Sequence, residues 1–136
     1  MDKCIFCKIA SNEIKSYKVY EDDYVIAFLD LNPASRGHTL VVTKEHFDNF
    51  TTVPKDILNH TMNVAQLIAQ AAITKLGAKG INIITNVGKA AGQSIMHFHV
   101  HVIPRYEDDG LSLTFPPKQI EDKELLLISD SIKSGM

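Results

Sequence analysis

With 136 residues, 45% of them hydrophobic, the chain suits one domain with its own core and is too short for two, so residues 1–136 are expected to form a single unit with 107–136 as a variable tail. A formal charge of −2, with 14 lysines and arginines scattered along the chain, excludes the concentrated basic face that nucleic acid requires but leaves room for a small phosphorylated ligand. No stretch has the length and apolarity of a signal peptide or a membrane span; a cytoplasmic, soluble protein is expected, in which Cys4-x-x-Cys7 suits a metal or redox pair better than a structural disulfide.

After a short N-terminal segment, Tyr17–Glu21 and Tyr24–Asp30 have strand composition and flank the acidic pair Asp22-Asp23, which suits the turn of an antiparallel hairpin. Residues 32–37, Asn-Pro-Ala-Ser-Arg-Gly, carry turn chemistry, and His38 opens the strand-like run to Thr43. From Pro54 to Leu76 apolar residues recur at helical spacing. Thr51 or Thr52 offers a cap, Pro54 suits the first turn, and Gly77 supplies the stop. This helix is apolar on more than one face, so it is expected to pack both inward and against a second subunit. Strand composition returns at Ile81–Asn86. A small-residue loop, Val87–Ser94, follows, whose glycines would let backbone N–H groups approach an anion. Beyond Glu107 the pattern weakens to an acidic turn, Pro116-Pro117 and a short helix over Glu121–Lys133. Strand blocks separated by one long helix predict an α+β domain on a mainly antiparallel sheet.

Residues 95–103, Ile-Met-His-Phe-His-Val-His-Val-Ile, hold three imidazoles at alternate positions of an apolar run. As a strand this places Phe98, Val100 and Val102 toward the core and His97, His99 and His101 together on the other face. Three imidazoles are costly to bury without partners, so the row points to chemistry. Three successive alternate positions span too far to meet one ion easily, which argues against a catalytic zinc held by all three.

The run His97–Ile103 resembles the signature of the histidine-triad superfamily of nucleotide hydrolases and transferases, His-φ-His-φ-His-φ-φ with φ apolar, at every position. The similarity extends over roughly residues 4–105 through Ile5-Phe6, Glu21-Asp22-Asp23, Ala27-Phe28, Asp30, Gly37-His38, Asn86 and Gly92-Gln93-Ser94, as in the nucleoside phosphoramidase branch. It implies a five- to six-stranded sheet with one long helix and a short C-terminal helix, and a homodimer. It also implies cleavage at the α-phosphorus of a purine nucleotide conjugate through a nucleotidyl-histidine. In these terms His99 is the nucleophile, with His101 and His38 beside it at phosphorus, and Asp30 accepts from the ribose hydroxyls. Ile5, Phe6, Ile9, Phe28 and Leu31 form the slot for the base, and Asn86, Gln93 and Ser94 contact phosphate. Zinc-binding branches use a Cys-x-x-Cys pair, a later histidine and the first triad histidine, which here are Cys4, Cys7, His46 and His97. Such a zinc would be structural, and none is required at the reacting phosphorus. His60, on the helix, has no such context and is expected at the surface or in packing. Pro104-Arg105-Tyr106 departs from the animal phosphoramidases toward diadenosine-polyphosphate hydrolases, leaving Arg105 as either a second phosphate contact or a surface ion pair. A nucleotide-binding regulator with incidental turnover is the remaining alternative.

Overall fold

The computed structural model describes residues 4–136. Five strands form one fully antiparallel sheet: β1 (Lys18–Glu21), β2 (Val25–Leu29), β3 (Thr39–Thr43), β4 (Gly80–Ile84) and β5 (His99–Arg105), in the order β1-β2-β3-β5-β4. Side-chain alternation divides the central strands between two layers. Val25, Ala27, Val41, Val100 and Val102 face one side, where they pack with Phe98 against Val64, Ala65 and Ile68 of the long helix α2 (Lys55–Leu76). Ile26, Phe28, Leu40 and Val42 face the other side and meet Phe6 and Ile9 of α1 (Ile5–Ala10). His99 and His101 share this second face, directly beside Val42 and Leu40 in the β3–β5 register.

Helix α2 stops where expected, with Gly77 in the left-handed region at φ 74°. Its start differs: Pro54 is the N-cap and no side chain caps it, because Thr51 and Thr52 are turned back into a loop with Asn49. Helix α1 spans only six residues, too few for periodicity to reveal, and Cys4 caps it by accepting the Cys7 N–H on Sγ at 3.2 Å.

The histidine run also departs from the sequence expectation. The strand begins at His99, and residues 95–97 form a bend, so His97 does not share a strand with His99 and His101. The β3 ladder ends at Val42–His99, and the backbone groups just before it are engaged elsewhere: Phe98 N–H donates to the Phe47 carbonyl at 2.6 Å and Ile95 O accepts from the Gln93 side chain. Beyond the sheet, α3 (Asp122–Ser134) buries none of its residues. Among the described residues no helix is long and apolar enough to cross a membrane.

Candidate functional site

Two clusters lie at successive positions along the bend and β5. At the first, Cys4, the N-cap of α1, and Cys7 within it meet His46 from the segment after β3 and His97 from the bend, with all four ligand atoms within 4.8 Å of one another. Cys4 Sγ lies 3.6 and 3.2 Å from Nδ1 of His46 and His97, and Cys7 Sγ lies 3.4 Å from each. A tetrahedron with ordinary zinc–sulfur and zinc–nitrogen bonds has sulfur–nitrogen edges of about 3.5 Å, so the donors fit a zinc ion. The ring orientations agree. Nε2–H of His97 donates to the Thr43 carbonyl at 2.7 Å, and Nε2–H of His46 donates to Asp48 at 3.0 Å, which leaves both Nδ1 lone pairs toward the thiols.

Burial opposes ionisation of Cys4, but hydrogen bonds from Cys7 and His46 outweigh it and hold the thiol below its ordinary value. Burial and then the neighbouring Cys4 push Cys7 up to about 11. Two close thiols resist double ionisation unless a cation is shared between them.

At the second cluster, a carbonyl fixes His99, an amide fixes His38, and His38 in turn fixes His101. Nδ1–H of His99 donates to the His97 carbonyl at 2.7 Å, so Nε2 carries the lone pair. The Ala34 N–H donates to His38 Nδ1 at 3.0 Å, which places the His38 proton on Nε2, 3.0 Å from His101 Nδ1. His101 accepts there and carries its own proton on Nε2. Burial lowers His38 and His99, while burial with His99 and His38 nearby lowers His101 to about 4. All three rings are therefore neutral near pH 7. Phe6 stands edge-on to His99 with ring centroids 4.9 Å apart, and Thr85 Oγ1 donates to the His99 carbonyl at 2.8 Å.

His99 and His101 line a cavity of about 420 Å³, together with Ser94, Asp30 and the apolar residues Ile5, Phe6, Ile9, Phe28 and Leu31. Asp30 Oδ1 accepts the Asn32 N–H at 2.9 Å, and Oδ2 lies 3.7 Å from His38 Nε2. One carboxylate oxygen thus fixes the turn while the other remains an acceptor near the histidines. His38 stands behind His101 and does not line the cavity; neither do Asn86 and Gln93.

The small-residue loop is arranged differently from the expected anion cradle. Gln93 is 4% exposed; its amide donates to the Asp48 and Ile95 carbonyls and accepts the Gly88 N–H. The Gly92 N–H donates to Lys89 O. Both glycine amides are consumed inside the loop, so Ser94 is the residue of this loop that reaches the cavity. Arg105 is likewise committed: it donates to Asp109 through Nε and Nη2, to Asn82 through Nη1 and to the Leu111 carbonyl through Nη2. His60 is a packing residue, 2.6 Å from Asp22 and edge-on to Tyr24.

Several participants carried no sequence signal. The Ala34 N–H and the Thr43 and His97 carbonyls are backbone groups, and Asp48 could be found only once His46 was placed.

The chain is similar in sequence and structure to proteins of one family. The pattern of the HIT domain family matches residues 11–108. A HIT-like protein of Methanocaldococcus jannaschii is 49% identical over 113 residues, covering 82% of this chain and 86% of that protein. The adenylylsulfatase HINT3 of Arabidopsis thaliana is 40% identical over 108 residues, covering 79% of this chain and 55% of that longer protein. A zinc-bound histidine triad family protein from Mycobacterium smegmatis superposes with a TM-score of 0.78 at 38% identity, covering 99% of both chains. With the histidine run, the sheet and the matched span in agreement, the chain belongs to the HIT domain family.

Proposed function

We propose that this chain is a nucleotide hydrolase that cleaves at the α-phosphorus of a purine nucleoside phosphoramidate or related conjugate through a nucleotidyl intermediate on His99. The observation that carries this reading is the orientation of the His99 ring. Its Nδ1–H is tied to the His97 carbonyl, so the nucleophilic nitrogen is Nε2 of a neutral imidazole lining the cavity. Asp30, an acceptor, suits the ribose diol, and the Phe6, Ile9 and Phe28 surfaces suit a flat base.

In the first step the Nε2 lone pair attacks phosphorus as the bond to the leaving amine breaks. The electron pair departs with the amine nitrogen, which takes the proton of His101 Nε2–H. His38 Nε2–H donates to His101 Nδ1 and stabilises the charge left on that ring. Water then attacks phosphorus and returns a proton to His101 Nε2, and the electrons of the phosphorus–nitrogen bond return to His99. The product is a nucleoside 5′-monophosphate. The adenylylsulfatase relative acts, by its name, on an adenylyl conjugate, which supports chemistry of this class.

Cys4, Cys7, His46 and His97 would hold a zinc ion, as the zinc-bound relative supports, and such an ion would fix α1 against the bend without entering the reaction. The Pro104-Arg105-Tyr106 resemblance to diadenosine-polyphosphate hydrolases gains no phosphate contact from Arg105, whose guanidinium is engaged with Asp109, Asn82 and Leu111. A homodimer is supported by α3, which exposes Leu125, Leu126, Leu127 and Ile132, and a monomer in light scattering would overturn that part.

The test is incubation with adenosine 5′-phosphoramidate and a diadenosine polyphosphate in parallel, followed by mass spectrometry. Turnover of the phosphoramidate with an adenylyl adduct on His99 is expected. Absence of both turnover and adduct would overturn the assignment in favour of a binding protein.

A further inference from the structure

Between α1 and β1 the chain runs as an irregular segment across the end of β2, held there by the Leu29 N–H donating to the Tyr17 carbonyl at 3.0 Å. This crossing brings Ile14, Lys15 and Ser16 to the wall of the cavity that also holds Phe6, Asp30 and His99. Ser16 Oγ is buried, and among the described residues it is the buried side-chain oxygen or nitrogen that has no hydrogen-bond partner. A buried hydroxyl without a partner carries a desolvation cost that nothing recovers, so such a group calls for an explanation.

Its position supplies one. The cavity takes polar groups from His99, His101, Ser94 and Asp30 and apolar surface from Ile5, Phe6, Ile9 and Phe28. With phosphorus assigned to His99 and the ribose to Asp30, the base is left to the rest of the lining, which includes Ile14 and Ser16. Apolar residues hold a base by contact and shape but read none of its polar atoms. A serine hydroxyl both donates and accepts, and rotation about one side-chain bond moves it between staggered positions.

We infer that Ser16 is a specificity-determining residue whose hydroxyl turns into the cavity and hydrogen-bonds the polar edge of the six-membered ring of a bound purine. The inference rests on the nucleotide site proposed above. It adds a directed polar contact beside the apolar surfaces of Phe6, Ile9 and Ile14, and it explains an orphaned hydroxyl as a group kept for the ligand. Because the same hydroxyl can accept from an amine or donate to a ring nitrogen or carbonyl oxygen, both adenine and guanine satisfy it.

A chemical version of a double-mutant cycle tests this. Binding of AMP and of benzimidazole riboside 5′-monophosphate, which lacks the polar edge of the six-membered ring, is measured by calorimetry on the full chain and on Ser16→Ala. The variant is expected to bind AMP about three- to tenfold more weakly, the range of one neutral hydrogen bond. The benzimidazole nucleotide is expected to bind both proteins equally. Without nucleotide, the melting temperature of Ser16→Ala should be unchanged or raised, since an unpartnered buried hydroxyl is removed. Equal losses for both ligands, no loss for AMP, or a lowered melting temperature of the free variant would overturn the inference. Failure of the unsubstituted chain to bind either nucleotide would instead overturn the underlying site, and that result is visible before any substitution is made.

Discussion

The two faces of the sheet are built by different means. One face is covered by the 22 residues of α2, whose Val64, Ala65 and Ile68 interdigitate with valines of β2, β3 and β5. The other is covered by the six residues of α1, and it carries both histidine clusters and the cavity. Helices this short are not stable on their own. Helix α1 keeps its place through two buried side chains, Phe6 and Ile9, and through Cys4 and Cys7 in the cluster with His46 and His97. The α2 face stabilises by burial, whereas the α1 face combines a smaller buried cluster with many directed polar contacts that order a working surface.

The largest expected effect separates the two faces outright. His99→Ala removes the nucleophile from the α1 face while leaving the α2 layer untouched. Turnover of a nucleoside phosphoramidate is expected to fall by about a thousandfold or more, as for loss of other enzyme nucleophiles. The melting temperature should change little by comparison. A variant that keeps its turnover would place the chemistry elsewhere.

The next pair of substitutions compares the means by which each face is held. Ile68→Ala opens space beneath α2 and is expected to cost about 2–5 kcal/mol in denaturant unfolding, with little change in KM. Cys7→Ser, or chelation of the intact protein, should act on α1, because the same six-residue helix carries a cluster cysteine and the cavity residues Phe6 and Ile9. Its expected signature is a raised KM with a smaller change in kcat, together with lost zinc content and a lowered melting temperature. If chelation abolished kcat while the protein stayed folded and still bound nucleotide, the division between a structural cluster and a chemical one would fail.

The same division explains what could be read from the sequence. Strands β2, β3 and β5, helix α2 and its Gly77 stop follow from periodicity and terminator residues, because burial imposes a pattern on consecutive positions. Resemblance to a family points to the residues around the cavity, and the geometry gathers Asp30, Ser94, His99, His101 and the apolar set there. What was not legible depends on backbone groups and on distant partners. Nothing in the run His97–His101 shows that it bends before His99, since that depends on Phe47 and Gln93. Nothing in Gly88 or Gly92 shows that their amides are occupied. Arg105 is decided by Asp109 and Asn82, of which Asn82 lies on another strand.

The smallest expected effect concerns a polar tie on the side held by burial. Asp22, in the β1–β2 turn, accepts from the backbone of Tyr24 and Val25 through Oδ1 and from Tyr20 and His60 through Oδ2. His60 lies on α2, so this carboxylate fastens the hairpin to the long helix. Burial opposes its ionisation, but the bonds from Tyr20, Tyr24, Val25 and His60 outweigh that and hold the carboxyl well below the usual carboxylate range. A depressed value in the folded state means that the unfolded chain takes up the proton first as pH falls. The contribution of Asp22 is therefore present above its unfolded value, near pH 4, and is lost as acidity increases toward the folded one. Asp22→Asn keeps the shape but removes the charge and one acceptor, and is expected to cost about 1–3 kcal/mol at pH 7. The difference from the unsubstituted protein should shrink below pH 4, and the KM for nucleotide should remain unchanged, because the tie acts on the α2 side of the sheet. A shift in KM equal to that of Cys7→Ser would show that the two faces are mechanically coupled through β2, where Val25 and Ala27 face α2 while Ile26 and Phe28 face the cavity side.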